Sequence, residues 1–189
     1  FLKGGTDSPE NFLGYLGFDD VQDLGNAGLL HRYEAHVGDW EPGDPDFVSS
    51  STGWDSKGII GALNYLSSVG VNSIYFLPMN LGGDGRETCP FVGYAKTAFN
   101  KTHYDISRMH QWNQVLDHAQ RKGIMLHIVL AETESGNEQW LDNGAFGIER
   151  RLFFRELVAR FGHALVLKWN LCEEADFFGP DTLRAHADY

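Results

Sequence analysis

The hydrophobic period of this chain changes in the same order three times, and that repeat limits the available folds more than any other feature. Each time, apolar residues at helical spacing end at a glycine and are followed by a short, continuous apolar run. These runs are residues 71–80, 124–131 and 164–171. Runs that are apolar on both faces are typical of buried parallel strands, so the sequence predicts parallel strands alternating with helices.

The predicted helices have clear start and stop residues. The starts are Ser56, which is the N-cap of the first helix, and residues near Ser107, Ile148 and Asp181. The first three helices end at Gly70, Gly123 and Gly162. The second helix shows the clearest inward stripe, which consists of Met109, Trp112, Val115, Leu116 and Ala119.

The joints between elements indicate where function lies. Residues 1–5 (FLKGG) predict one further strand, and a stretch rich in Gly, Asp and Pro then runs to Asp55, which gives four βα units. Each helix-to-strand joint is only a glycine or two, whereas the strand-to-helix joints 81–106 and 132–147 are long. Both long joints leave the carboxyl ends of strands, so we expect the functional face there.

The predicted fold class is α/β, and we favour a (β/α)₈ TIM barrel over an open doubly wound sheet. A doubly wound sheet normally carries a phosphate-binding turn, but Gly82, Gly83 and Gly85 neither fit G-x-G-x-x-G nor open a helix. A complete barrel takes roughly 250 residues. Residues 1–189 are therefore predicted to be one unit, the N-terminal half of a (β/α)₈ barrel.

Composition excludes several classes of protein. The chain has 15 Lys and Arg against 26 Asp and Glu, a formal net charge of −11, which argues against a nucleic-acid partner. No apolar run approaches the roughly 20 residues of a membrane span. Two cysteines, Cys89 and Cys172, are too few for a disulfide framework. No signal or transit segment precedes Phe1, and we expect the sequence to be an excerpt.

Two adjacent carboxylates, Glu173 and Glu174, follow the last predicted strand. Alternation places Leu165, Leu167, Trp169 and Leu171 on one face, and Val166, Lys168, Asn170, Cys172 and Glu174 on the other. If the apolar set faces the helices, Lys168, Asn170 and Glu174 point into the lumen or mouth of the barrel. A carboxylate beside apolar walls there can act as a general acid. The alternative is a solvated loop carboxylate.

The other strands also end in polar residues. Glu132 follows the strand 124–131 and is either an acceptor for sugar hydroxyls or a surface charge. Asn80 ends the strand 71–80 and either orients a ligand or caps the turn. His127, in mid-strand, is interpreted as a core or lumen histidine rather than a metal ligand.

Several aromatic residues lie in predicted loops, namely Trp40, Trp54, Phe91, Tyr94 and Trp140. Such rings suit carbohydrate because they offer a flat apolar face to sugar C–H groups, and Trp40 is the candidate we select. The alternative for each is packing over the barrel rim. His31, His36 and Asp39 form a loose metal-like pattern, but without a helix to fix the spacing we predict no metal and no cofactor. No G-x-S-x-G motif supports a catalytic serine, and Cys172 has no evident base.

These residues resemble those of a known family. The similar segments are residues 1–11, 104–107, 111–112, 118–123, 132–134, 149–152, 155–163 and the run Trp169-Asn170-Leu171-Cys172-Glu173-Glu174. They are similar to the catalytic-barrel region of large secreted bacterial proteins. Those are glycoside-hydrolase-like proteins with an N-terminal domain of unknown function and a predicted collagen-binding C-terminal domain. The resemblance implies a secreted or periplasmic location and flanking domains on the same chain.

More distantly, the pattern resembles clan A glycoside hydrolases, whose fourth strand ends in an Asn-Glu pair with Glu as the acid/base. Matching the Trp169 run to the Trp-Ser-Leu-Gly-Asn-Glu variant of that clan puts Glu174 at the acid/base position. Glu173 stands where the clan has Asn and is the alternative acid/base. The clan's nucleophile lies on the seventh strand, which this sequence does not contain.

The predicted function is therefore hydrolysis of O-glycosidic bonds in a polysaccharide or oligosaccharide. Catalysis falls to Glu174, with Glu173 as the alternative, and the second carboxylate belongs to the remaining half of the barrel. The candidate substrate-binding residues are Asp7, Trp40, Asn80, Glu132 and Asn170. A non-catalytic carbohydrate-binding barrel is the alternative function, because fold alone does not establish catalysis.

Overall fold

The computed structural model describes residues 12–19, 30–81, 88–93, 98–132, 137, 139–175 and 179–189. The strand predicted at residues 1–5, the candidate ligand residue Asp7 and the loop residue Tyr94 lie outside these ranges. Within them, no helix is long and apolar enough to cross a bilayer.

The described elements confirm the α/β class. The α-helices are α1 (Lys57–Ser68), α2 (Ile106–Arg121), α3 (Ile148–Phe161) and α4 (Pro180–Asp188). The strands are β1 (Ser73–Phe76), β2 (Phe91–Val92), β3 (Asn100–Tyr104), β4 (Met125–Val129) and β5 (Leu167–Asn170). Two short 3₁₀ helices cover Glu34–Asp39 and Asp142–Gly144.

The three predicted strands within the described ranges form one parallel sheet in the order β1-β4-β5. Tyr75 pairs with His127, and His127 pairs in turn with Lys168. The order of these strands in the sheet therefore follows their order in the chain. Helix α2 connects β1 to β4 and helix α3 connects β4 to β5, since parallel strands need such crossover connections.

The predicted helix boundaries are confirmed to within a few residues, and the predicted cap residue Ser56 differs in the hydrogen bonds that it makes. Asp105 caps α2, because its Oδ1 accepts a hydrogen bond from the Arg108 backbone N–H at 2.9 Å. Ser56 does occupy the N-cap of α1, but its hydroxyl makes no cap hydrogen bond. The Ser56 Oγ instead accepts from the Phe47 N–H at 3.0 Å and donates to the Pro45 carbonyl at 3.2 Å. It therefore anchors the preceding loop to the helix.

One face of the sheet carries the apolar core. Helices α1, α2 and α3 contribute buried side chains to a single cluster, which includes Ile74, Phe76, Leu126 and Ile128 from the sheet. The predicted inward stripe of α2 is buried in full, with Trp112 completely enclosed. The stripe prediction is therefore confirmed.

Strand β5 is shorter than predicted, and this corrects one assignment. Leu167, Trp169 and Leu171 pack against the core cluster, as alternation requires. The sequence pattern predicts that Leu165 lies on the same face, but its side chain is 95% exposed. The reason is that the strand begins only at Leu167, so the alternation of faces does not extend back to Leu165.

The joint 81–106 contains a feature that the sequence did not predict. Strands β2 and β3 pair antiparallel, with a register irregularity between Phe91 and Val92. The Asp105 N–H then donates to the Pro90 carbonyl at 2.8 Å, which connects the hairpin to the start of α2.

The 3₁₀ helix Glu34–Asp39 packs closely on α1. A Cβ atom at Gly61 would lie 1.8 Å from the His36 carbonyl oxygen, and one at Gly58 would lie 2.1 Å from the Arg32 carbonyl oxygen. Backbones approach this closely only where no side chain intervenes, so these two glycines fix the segment 32–40 against the helix layer.

Candidate functional site

The carboxyl ends of β1, β4 and β5 lie along one edge of the sheet, and their backbone pairing continues past the regular strands. The Leu130 N–H donates to the Asn170 carbonyl at 2.8 Å. The Glu173 N–H donates to the Ala131 carbonyl at 2.9 Å. Glu173 therefore pairs with the residue before Glu132, which brings two of the predicted carboxylate positions to neighbouring places on this edge.

Asn137 connects the ends of β1 and β4. This side chain is completely buried, and its Oδ1 accepts from the Leu81 backbone N–H at 3.0 Å. Its Nδ2 donates to the Glu132 Oε2 at 3.1 Å and to the Met79 carbonyl at 3.4 Å. One carboxamide, which sequence analysis did not identify, therefore links Glu132 to the two chain neighbours of Asn80.

Glu132 is only 3% exposed. This burial excludes the alternative that it is a surface charge. A carboxylate out of water needs hydrogen-bond donors, and the Asn137 amide supplies one of them. Whether Glu132 also accepts sugar hydroxyls stays a prediction.

Asn80 is buried completely, and its backbone is fixed by Thr88. The Asn80 N–H donates to the Thr88 carbonyl at 2.7 Å, and the Thr88 N–H donates back to the Asn80 carbonyl at 2.9 Å. Neither amide atom of the Asn80 side chain, nor the Thr88 hydroxyl, has a hydrogen-bond partner among the described residues. Such groups are uncommon in folded proteins, and a catalytic or binding role is one recognised explanation.

The end of β5 departs from a regular strand at the predicted catalytic residues. Asn170 is half-buried, and its Oδ1 accepts from the Cys172 N–H at 3.3 Å. The strand ends at Asn170, and Glu174 adopts a left-handed φ of 51° and is exposed. The strand alternation from which we predicted the direction of Glu174 therefore ends before that residue. Lys168 and Asn170 are within the strand and lie on the predicted face, opposite the helices.

Trp40 packs in the helix layer. Its Nε1 donates to the Pro45 carbonyl at 3.1 Å, and the Lys57 ammonium lies 4.9 Å from its ring centroid. Within the described ranges, these contacts do not join Trp40 to Asn80, Glu132 or Asn170. Its role in sugar binding stays a prediction, and the contacts observed are packing contacts with Pro45 and Lys57.

Two histidine predictions concern metals. The His127 and Tyr75 rings pack in a T-shaped arrangement at a centroid distance of 4.8 Å, and burial together with the nearby Lys168 charge lowers the pKa of His127. In the loose metal-like pattern, the His36 Nδ1 lies 2.9 Å from the Asp39 Oδ2, whereas the His31 ring stacks on Tyr33. In the part of the chain that the structure describes, no three His, Cys, Asp or Glu residues form a group suited to a metal ion.

Comparisons with models of protein families, with curated proteins and with solved structures found no match to this chain. The resemblance to secreted glycoside-hydrolase-like proteins therefore stays a prediction, and so do the activity and location that it implies.

Proposed function

We propose that this chain is the first half of a (β/α)₈ barrel in a glycoside hydrolase that cleaves O-glycosidic bonds of a polysaccharide or oligosaccharide. The observation that carries the proposal is the common edge at which Asn80, Glu132 and the Glu173-Glu174 pair follow three neighbouring parallel strands. Enzymes with parallel barrels build their active sites from such residues at the carboxyl ends of strands.

The distribution of helices supports a barrel. Helices α1, α2 and α3 share one core cluster with a single face of the sheet, whereas a doubly wound sheet places helices on both faces. Met125 and Val129 belong to the opposite face, and neither is part of that cluster. In a barrel this second face lines the lumen, which the remaining strands would close.

In the proposed mechanism, Glu174 protonates the leaving oxygen and then activates a water molecule. Retention of configuration would require a second carboxylate about 5 to 5.5 Å away, acting as the nucleophile. That carboxylate would come from the other half of the barrel. Asp7, Asn80, Glu132 and Asn170 would hold sugar hydroxyls, and Trp40 would offer an apolar ring.

The test compares two adjacent carboxamide variants in the complete protein, assayed on a panel of glycans. Glu174→Gln should lower kcat by about 100-fold or more, since loss of a general acid/base typically costs that much. Glu173→Gln is the matched control and should stay within about tenfold of the wild type. Unchanged turnover in Glu174→Gln would reject its catalytic role, and the reverse ranking would assign that role to Glu173.

A non-catalytic carbohydrate-binding barrel is the second candidate. The exposure of Glu174 favours it, because a general acid is usually held in a less solvated environment. Glycan binding by the complete protein without turnover would support this alternative. Hydrolysis by residues 1–189 alone would contradict the requirement for a second carboxylate from outside this chain.

A further inference from the structure

The side-chain amide of Asn137 both accepts and donates hydrogen bonds. Its oxygen accepts the Leu81 N–H, and its nitrogen donates both to Glu132 and to the Met79 carbonyl. A primary amide has two N–H donors and one oxygen acceptor, so all three parts of the group are engaged. The side chain is completely buried, so water does not compete for these hydrogen bonds.

These contacts surround Asn80. Met79 and Leu81 are its two chain neighbours, and Asn137 holds the carbonyl of one and the N–H of the other. The same amide holds the Glu132 carboxylate, 5 residues away along the chain. One side chain, Asn137, therefore holds both the backbone around Asn80 and the Glu132 carboxylate, although the two residues are 52 positions apart in the sequence.

We propose that Asn137 is the positioning residue of this site: it fixes the Glu132 carboxylate relative to the chain on both sides of Asn80, and so sets the shape of the edge at which a glycan binds. The glycan in this statement rests on the proposed function, whereas the mechanical link does not. The Asn80 side-chain amide is completely buried and has no partner among the described residues, so its place in the fold depends on the backbone contacts that Asn137 makes on either side of it.

Only a carboxamide meets both demands. Aspartate at position 137 would keep an oxygen for the Leu81 N–H but would lose the donor to Glu132 and add a negative charge beside it. Alanine would lose both interactions. Asn137→Asp and Asn137→Ala therefore separate support of the Leu81 backbone from positioning of the carboxylate.

The first measurement is independent of catalysis and uses hydrogen exchange of the Leu81 amide in the complete protein, at single-residue resolution. If Glu132 and the Asn80 segment are linked through Asn137, Glu132→Ala should speed exchange at Leu81 by about tenfold, because Asn137 loses its charged partner. Glu149→Ala is the matched control, since Glu149 accepts the Asp142 N–H elsewhere in the fold, and it should leave Leu81 unchanged.

Glu132→Gln covers the case in which Glu132→Ala does not fold. It retains an oxygen for Asn137 without the charge, so exchange at Leu81 should increase by a smaller factor of about threefold. Unchanged exchange at Leu81 in the folded Glu132 variants would overturn the proposal, because an asparagine that only supports the loop would not respond to Glu132.

The second measurement is turnover on the glycan panel. Asn137→Asp should retain slow exchange at Leu81 but raise KM by about tenfold or more, whereas Asn137→Ala should lose both properties. Wild-type KM in Asn137→Asp would contradict the positioning role. If no glycan is turned over by the wild type, the proposed function fails, and the exchange of Leu81 still decides whether Asn137 links the two residues.

Discussion

The two faces of the parallel sheet differ sharply in chemistry. The face toward the helices presents Ile74, Phe76, Leu126 and Ile128, all of which are buried in the core cluster. On the other face, Tyr75 and His127 are half-buried and Lys168 is exposed, and these three residues form one row across the strands. Met125 and Val129 of β4 also lie on this face and are buried, so the solvated character belongs to the middle row of the face.

The largest expected effect compares neighbouring aromatic residues on opposite faces of β1. Phe76→Ala should lower the free energy of unfolding by about 3 to 5 kcal/mol, because the ring is completely buried against the helix layer. Tyr75→Ala should cost only about 1 to 2 kcal/mol, since its ring is half-buried and rests on His127. Urea unfolding measures both, and equal costs would show that the two faces are equally enclosed.

The second prediction compares histidines in the two environments. Burial lowers the pKa of His118 in α2 to about 4, although the nearby Asp44 charge partly opposes the shift. The unfolded chain therefore binds a proton between pH 6.5 and about pH 4 that the folded chain does not. Through His118, the free energy of unfolding should fall by about 1.4 kcal/mol per pH unit as the pH falls through that window.

His118→Gln should remove this part of the acid sensitivity, and unfolding free energies measured from pH 7 to pH 4 would check it. The matched variant is His127→Gln on the second face. The pKa of His127 is also lowered, by burial and by Lys168, but this side chain is more exposed, so its contribution to the slope should be smaller. A larger contribution of His127 than of His118 to the pH dependence of the unfolding free energy would contradict this prediction.

The smallest expected effect concerns β5, where adjacent residues again face opposite ways. Lys168→Ala should change the free energy of unfolding of residues 1–189 by less than about 0.5 kcal/mol, because the side chain is exposed. Leu167→Ala should cost about 1 to 2 kcal/mol, because Leu167 packs against the core cluster. A large cost for Lys168→Ala would show that the second face is already closed within this chain.

The helix-facing side could be predicted from the sequence because its signal is periodic. Residues of α2 such as Trp112 and Val115 recur at helical spacing, and burial follows from that spacing alone. The parallel order of the strands follows from the helices between them. The boundaries of β5 could not be predicted equally well, because the apolar run continues to Leu165, outside the ladder of hydrogen bonds.

The polar edge was predictable only in part. Asn80 and Glu132 could be identified because each follows an apolar run. Asn137 could not, since its partners include backbone atoms of Met79 and Leu81, and no local pattern encodes a contact across 56 to 58 residues. The hairpin of β2 and β3 was missed for a similar reason, because the residues Asn100–Tyr104 are mostly polar and lack a strand-like alternation.

The outer side of β5 has a practical consequence for handling residues 1–189 by themselves. In the described ranges, β5 pairs only with β4, and the chain just before it exposes Leu165 and half of Val166. An open strand edge beside exposed aliphatic side chains is a template for association with other copies. Concentrated preparations of residues 1–189 should therefore be prone to self-association and precipitation.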